Sequence, residues 1–371
     1  MKIALVTIHN TNNYGAIFQT FALQTVLRRY GEVQIVNYEN RHVSRSFDLV
    51  RLRLTTHGLL GAAKDICRLL PRRRVINKFM EFININMSLT NVLSGAELKQ
   101  GTLEVFDCYV AGSDQIWNPE CISASGVLDP VYFLDFAPAG AKKISYASSL
   151  GSYVFSNFEK SQLKAYLREF AVVSVREQDA KLLLQEILAR KVNHVLDPTL
   201  LLSKEEWIKS LEFRGQSTKH EKYILLYTVP KVPLVRSAVD FFSKKLNLKV
   251  IAIDQGLSAG AKVNNHIRDA GPLDFIELFL GADFIITDSF HGVCFSLNFG
   301  KPFVAVSPGK YANRIQSLLS LVGLEDKLVE NSDDFEYFPI EIDFEKVHGK
   351  LTAARRASLE TIAISLDVDV C

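Results

Sequence analysis

The sequence is poor in several features that would have set its class at once. No run approaches the ~18–20 uncharged apolar residues that a membrane-spanning helix needs. The N-terminal apolar stretch Ile3–Ile8 is too short for a signal-peptide core and lacks a small-residue cleavage pattern. Five cysteines (Cys67, Cys108, Cys121, Cys294, Cys371) are odd in number, scattered and without a Cys-x-x-Cys pair. They are poor material for a disulfide frame or a zinc site, so a reducing, cytoplasmic compartment and no bound metal are expected. Net charge is almost missing too: 43 Lys and Arg against 41 Asp and Glu leave +2, which argues against a general nucleic-acid binder. There is no internal repeat, no low-complexity tract, no Gly-x-Gly-x-x-Gly and no His-Glu-x-x-His. Gly256–Lys262 has the wrong glycine and lysine spacing for a P-loop.

What charge there is lies unevenly. Residues 41–80 carry ten cations (Arg41, Arg45, Arg51, Arg53, Lys64, Arg68, Arg72, Arg73, Arg74, Lys78) against Asp48 and Asp65, so that segment is +8 and the remainder −6. Leucines and isoleucines are interleaved among these cations. The mixture suits either a helix resting on an anionic surface, such as a membrane leaflet or a lipid pyrophosphate, or a solvated lid over the first domain.

Hydrophobic residues make up 48% of 371 and charged residues 23%, a globular composition too long for one ordinary core. Short β-rich runs alternate with helical patterns. Strands are expected at Ile3–Ile8, Gln34–Tyr38, Phe106–Ala111, Lys143–Ser148, Val172–Val175 and His194–Leu196, and again at Tyr223–Thr228, Val250–Ile253, Phe284–Thr287 and Phe303–Val306. Ser203–Glu206 is a capping-box signature for a helix around Trp207, and the polar stretch Phe213–Glu221 is the linker candidate. The pattern predicts two α/β domains, 1–212 and 213–371, each Rossmann-like and doubly wound, facing a cleft, with a C-terminal amphipathic helix. In such sheets ligands sit beyond the carboxyl ends of the strands, so the post-strand loops are where function should lie.

Four such loops carry suitable chemistry. His9–Gly15 brings Asn12, Asn13, Tyr14 and Gly15 to a helix N-terminus, which suits an anion or sugar hydroxyls, or merely makes the turn and cap. Gly112–Pro119 offers Ser113, Asp114 and Gln115 for hydrogen bonds, with Trp117 either a stacking face for a sugar or an anchor into the core. Arg176 ends a strand, where its guanidinium clamps a carboxylate or phosphate, or pairs with Glu177 or Asp179. Thr287–Gly292 holds His291, the best general acid/base in the chain by residue type, beside Ser289 and Phe290. Asp288, Ser289 and His291 are too close in sequence for a serine-hydrolase relay. Lys310 and Arg314 follow the last strand and add positive charge there, or face solvent.

Asn12-Asn13-Tyr14-Gly15-Ala16, Gly112–Asn118, Ser174–Glu177, Leu196–Thr199 and Thr287–Gly292 occur in that order, and together they resemble the polysaccharide pyruvyl transferase family over about residues 1–330. The resemblance implies a glycosyltransferase-B-like pair of Rossmann-type domains. It also implies transfer of pyruvate from phosphoenolpyruvate to two hydroxyls of a sugar, in a capsule or exopolysaccharide or its lipid-linked repeat unit. No cofactor is implied beyond that donor. On this resemblance His291 is catalytic, Arg176 grips the donor, and the first two loops shape the acceptor side. One departure is plain: family members carry Arg-Leu-His where this chain has Ser289-Phe290-His291, so a donor-site arginine is missing, and Lys310 and Arg314 are the candidates to replace it. Two rivals stand beside this reading: a nucleotide-sugar glycosyltransferase of the same architecture, and a non-catalytic glycan-binding relative.

Overall fold

Strand after strand in this chain is apolar on both faces, and a parallel sheet covered by helices is what such strands build. The computed structural model describes residues 1–50, 69–212 and 221–369. Residues 51–68 of the basic segment and 213–220 of the linker candidate lie outside them. The chain divides into two compact units: Met1–Ser46, Ile83–Leu202 and Thr352–Cys371 form the first, Phe47–Phe82 and Ser203–Leu351 the second. This differs from a single cut at 212 in three places: residues 47–82 and 203–212 group with the second unit, and the end of the C-terminal helix groups with the first.

In the first unit, β1 (Lys2–Val6) runs into α1 (Tyr14–Leu27), followed by β2 (Glu32–Ile35), β3 (Cys108–Ala111) and β4 (Lys142–Ser145). The sheet order is β2-β1-β3-β4, all parallel, with Ile3 opposite both Val33 and Cys108. A further parallel pair, β5 (Ser174–Val175) and β6 (Asn193–His194), continues it through bridges from Ile144 to Val172 and from Ser148 to Val175. That is a flavodoxin-like strand order, whose switch point lies between β1 and β3. Its core includes Trp117, stacked 5.5 Å from Phe133, which is in turn stacked 4.7 Å from Tyr166.

In the second unit, β7 (Tyr223–Tyr227), β8 (Lys249–Ile253), β9 (Asn265–Ile267), β10 (Phe284–Thr287), β11 (Phe303–Val306) and β12 (Leu328–Val329) pair in the order β12-β11-β10-β7-β8-β9, all parallel. This is the six-stranded Rossmann order, with its switch point between the first and fourth strands of the unit, β7 and β10. Phe242 stacks on Phe284 across this core at 5.3 Å. The capping box of Ser203 and Glu206 forms as expected, with both reciprocal hydrogen bonds present.

Where the basic segment is described, three of its cations, Arg72, Arg74 and Lys78, bond to the protein, while Arg41 and Arg73 are exposed. A long helix, α2 (Leu69–Asn86), buries Val75 and Phe79 and pairs Arg74 with Asp269 at 3.2 Å and Lys78 with Asp274 at 2.7 Å. Arg72 is buried and donates to the carbonyls of Asp48 and Leu49. Gly271 lies so close to this helix that a Cβ there would meet the Lys78 Cβ at 2.5 Å. The second half of the final helix (Phe344–Leu366) packs in the first unit: Ser358 Oγ accepts from Leu196 N and Arg355 Nε donates to the Leu200 carbonyl.

Candidate functional site

Five post-strand loops of the first unit converge at the carboxyl end of its sheet. Thr7 Oγ1, just after β1, donates to the Ser113 carbonyl after β3, and a Cβ on Gly112 would lie 2.8 Å from Thr7 Cβ, so the two switch-point loops can only close over a glycine. Ser113 Oγ donates to Asp197 Oδ2, after β6. Ser149, after β4, donates through Oγ to Glu177 Oε1 at 2.6 Å. Arg176, after β5, sits at the centre. Its Nη1 is 2.6 Å from Asp197 Oδ2, its Nε 3.1 Å from Glu177 Oε1, and its Nη2 4.0 Å from Asp114 Oδ1.

This geometry changes the role expected of Arg176. Only 2% of its side chain is exposed, and three carboxylates already surround one guanidinium. Burial works to strip its charge, but those carboxylates outweigh it and hold the group protonated, above its ordinary range. A trianionic donor brought here would meet excess negative charge. Arg176 is the post around which the loops are ordered, and the ion pair with Glu177 foreseen as the plain alternative is part of it.

The acceptor-side residues divide in two. Trp117 is fully buried, packs against Phe133 and Phe170, and donates Nε1–H to the Tyr132 carbonyl, so it anchors the loop and offers no stacking face. Tyr14, Gly15 and Ser113 are also buried and hold the loops rather than presenting groups to solvent. Asn13 is exposed and caps α1 through its side chain, and Asn12 donates its backbone N–H to Ser46 Oγ. Asp114 and Gln115 are half-buried, and Asp114 has φ +72, a left-handed conformation for a non-glycine residue at the switch point. Gly151 makes room for Gln115: a Cβ there would lie 2.2 Å from its Oε1. Asn12, Asn13, Asp114 and Gln115 are therefore the sequence-chosen side chains of this unit that reach solvent.

In the second unit, His291 is on the first turn of α3 (Phe290–Phe299) rather than in a loop, directly after β10 at the switch point. Asp288 secures that turn to the neighbouring loop by accepting from Val229 N and Val232 N, and burial pushes its carboxyl above the usual range. Thr287 Oγ1 donates to the Tyr227 carbonyl and accepts from Ser289 N; Gly292 packs against it so closely that a Cβ would fall 2.1 Å from Oγ1. His291 is 8% exposed, edge-on to Phe290. Ser289, 6% exposed, is the N-cap residue. The guanidinium of Arg314, on the helix Asn313–Val322, lies 5.7 Å from the Phe290 ring centroid, in cation–π range. Lys310 is exposed and lies over the ring of Tyr311 instead. Of the two candidate substitutes for the missing arginine, the fold brings Arg314 to the histidine turn.

Sequence reasoning finds Glu177 as a neighbour of Arg176 but passes over Ser149 and Asp197 as members of the first cluster. Ser149 follows a strand expected to run through Ser148, and Asp197 reads locally as a turn, which it also is, accepting from Thr199 N and Oγ1. Their pairing spans from 21 to 84 residues of chain, and no local pattern carries it. Among the described residues, no group of three or more His, Cys, Asp or Glu is placed to hold a metal ion, and no helix is long and apolar enough to cross a membrane.

The profile of the polysaccharide pyruvyl transferase family matches residues 13–310, a span that starts at the Asn13 cap of α1 and takes in the Gly112–Pro119 loop, the Arg176 cluster and the His291 turn. The chain belongs to that family. No curated protein matches it. Solved structures agree in fold: a Listeria monocytogenes protein described as a putative UDP-N-acetylglucosamine 2-epimerase has a TM-score of 0.54 at 11% identity, covering 100% of this chain and 98% of its own. The Staphylococcus aureus MnaA structure with UDP gives 0.52 at 13% identity, with 99% and 97% covered. The Neisseria meningitidis UDP-N-acetylglucosamine 2-epimerase bound to UDP-GlcNAc gives 0.50 at 13%, with 99% of each chain covered. The likeness is one of fold, a glycosyltransferase-B-like arrangement of two Rossmann-like units. Family membership makes this pyruvyl transferase relative a transferase of polysaccharide biosynthesis.

Proposed function

We propose that this pyruvyl transferase uses phosphoenolpyruvate as donor and forms a cyclic pyruvate ketal on two hydroxyls of one sugar. The observation that carries this is the placement of an imidazole, His291, on the first turn of a buried helix at the switch point, with the Arg314 guanidinium held over the adjacent ring. Backbone N–H groups at that helix start and the guanidinium are what an anionic donor requires, and they stand where Ser289 replaces the family arginine.

In this reaction the donor methylene carbon takes a proton and C2 becomes electrophilic. One sugar hydroxyl adds to C2, the C2–O bond to phosphate breaks, and the second hydroxyl closes the ring. Two O–H protons are released: one ends in the new methyl group and the other leaves with inorganic phosphate. His291 is assigned to move them, as acid to carbon and base to hydroxyl. Asp114 and Gln115, with Asn12 and Asn13, supply the polar groups for the sugar, a saccharide of a cell-surface polysaccharide or its lipid-linked unit. Among the described cations of the basic segment, Arg72 is engaged with backbone carbonyls, Arg74 with Asp269 and Lys78 with Asp274, which supports a structural role for α2; Arg41 and Arg73 stay exposed.

A nucleotide-sugar donor is the second reading, because structures of like fold hold UDP and UDP-GlcNAc. Titration calorimetry with phosphoenolpyruvate and UDP-GlcNAc in parallel separates the two. Saturable phosphoenolpyruvate binding that weakens in Arg314→Gln supports the ketal reaction. Binding of UDP-GlcNAc with silence towards phosphoenolpyruvate, followed by sugar transfer with UDP release, overturns it.

A further inference from the structure

A second polar cluster, chosen by none of the sequence motifs, occupies the carboxyl ends of β7, β8 and β9. Lys231 follows β7 with φ +57, a left-handed backbone unusual for lysine. Its Nζ lies 2.7 Å from Asp254 Oδ1, after β8, and donates to the Ser258 carbonyl at 2.9 Å. His266, on β9, places Nε2 2.8 Å from Asp254 Oδ2. Arg268 donates Nε to the Gly256 carbonyl at 2.9 Å, and the exposed Arg236 reaches the Gly260 carbonyl at 3.4 Å. Gly256 donates its N–H to Asp254 Oδ1, and a Cβ on it would lie 2.7 Å from both that oxygen and Lys231 Nζ, so the cluster can assemble only over glycine.

The balance of this cluster points to a ligand. Lys231, Arg268 and Arg236 gather on one loop, and its carboxylate, Asp254, is saturated by Lys231, Gly256 N–H and His266, leaving the two guanidinium groups, among the described residues, bonded to backbone carbonyls alone. Arg268 Nη2 is buried and, among the described residues, has no hydrogen-bond partner, an arrangement that costs stability unless an acceptor arrives. Lys231 and His266 keep 29% and 18% of their side chains exposed, so the rim is reachable. Strand spacing then selects among anions. β8 and β9 lie two and three strands from β10, about 10 and 14 Å at ~4.8 Å per strand. The phosphate of a three-carbon donor held at His291 does not span that gap, whereas a diphosphate on the anomeric carbon of a sugar does.

We propose that Lys231, Arg236, Arg268 and His266, ordered by Asp254, bind the diphosphate of an activated sugar and thereby present its ring towards His291. The proposal rests on the transferase reading and specifies its acceptor as a glycosyl diphosphate, carried by a nucleoside or by a lipid. The diphosphate stays intact in the reaction and serves as a handle.

The test is calorimetry of the full chain with inorganic pyrophosphate, UDP-GlcNAc and farnesyl diphosphate, and separately with phosphoenolpyruvate. Saturable pyrophosphate binding is expected, displaced by one or both glycosyl or prenyl diphosphates, with the tighter of the two naming the carrier. Arg268→Gln and Lys231→Met each weaken it about tenfold or more, as loss of a charged hydrogen bond should. Arg236→Gln, on the exposed rim and safe for folding, weakens it less and lowers its salt dependence. Phosphoenolpyruvate affinity stays unchanged in all three. No pyrophosphate binding by the wild-type chain, or binding that all three variants retain in full, overturns the proposal. Absence of phosphoenolpyruvate binding to the wild-type chain overturns the ketal reading instead, and leaves the pyrophosphate result to be judged by itself.

Discussion

Nη1 of Arg176 lies 2.6 Å from Oδ2 of Asp197, and neither side chain is more than 2% exposed. The two residues close successive strands of one parallel sheet, and Ser113 and Glu177 join them from either side. A guanidinium so placed is a structural charge, which gives the commonest test of an expected donor arginine a different meaning. Arg176→Ala should cost about 3–5 kcal/mol, because it strands buried carboxylates without their counter-charge. Urea unfolding followed in the first unit reads this directly. Arg176→Lys should recover only part of it, since an ammonium cannot span Asp197 and Glu177 with the fork of a guanidinium. A variant that keeps full stability while losing only phosphoenolpyruvate affinity would return Arg176 to the donor site.

His291 and Arg314 should separate kinetically. His291→Gln is expected to lower kcat by about 10²–10⁴-fold with donor affinity little changed, the range for losing a general acid/base. Arg314→Gln should raise the KM for phosphoenolpyruvate more than it lowers kcat. Equal effects of both variants on both constants would argue against this division of labour.

Trp117→Ala should destabilise the first unit by about 3–5 kcal/mol, the range for emptying a buried indole site. Trp117→Phe should lose less and leave saccharide affinity intact, because the ring faces Phe133 and Phe170 and no solvent. Selective loss of acceptor binding in Trp117→Phe, at unchanged thermal stability, contradicts the anchoring role.

Gly292→Ala should disturb the His291 turn with a substitution of one carbon. The added methyl meets Thr287 Oγ1 and Cβ, at 2.1 and 2.9 Å, and must push the start of α3 away from β10. A loss of about 1–3 kcal/mol is expected, with a fall in turnover larger than the fall in donor affinity. Thermal unfolding and steady-state rates on one preparation check both.

Acid should weaken the first unit through His9 and His194. Burial lowers both imidazoles below their ordinary value of 6.5. His9 bridges the Thr7 carbonyl and Asn37, and His194 faces the Arg176 carbonyl. A lowered folded-state value means that the unfolded chain takes up protons first. The stability they contribute is complete above about pH 6.5 and drains away as pH falls towards the folded values. Unfolding measured from about pH 8 to about pH 5 should show this decline, and His9→Gln should flatten it. An unchanged slope in that variant removes His9 from the account.

Much of the fold is legible along the chain. Phe284–Thr287 and Phe303–Val306 stand as expected, and α1 opens at Tyr14 because Asn13 caps it. Buried parallel strands announce themselves by continuous apolar runs, and caps by local hydrogen bonds. β9 and β12 escape such a reading because Asn265–Ile267 and Leu328–Val329 are too short to carry a period.

What the sequence determined by itself is the alternation of strand and helix, the parallel two-unit architecture that follows, and the loops in which polar chemistry accumulates. These are properties of neighbours in the chain, set by side-chain periodicity and capping over a few residues. The tertiary structure decided which polar residues share a site. It gave Arg176 to Asp197, Glu177 and Asp114, turned Trp117 inward, set Arg314 over Phe290, and gathered Lys231, Asp254, His266 and Arg268 at three strand ends. Each of those choices depends on strand order, and strand order is fixed by how the units bury their apolar faces, a long-range balance that no single segment contains.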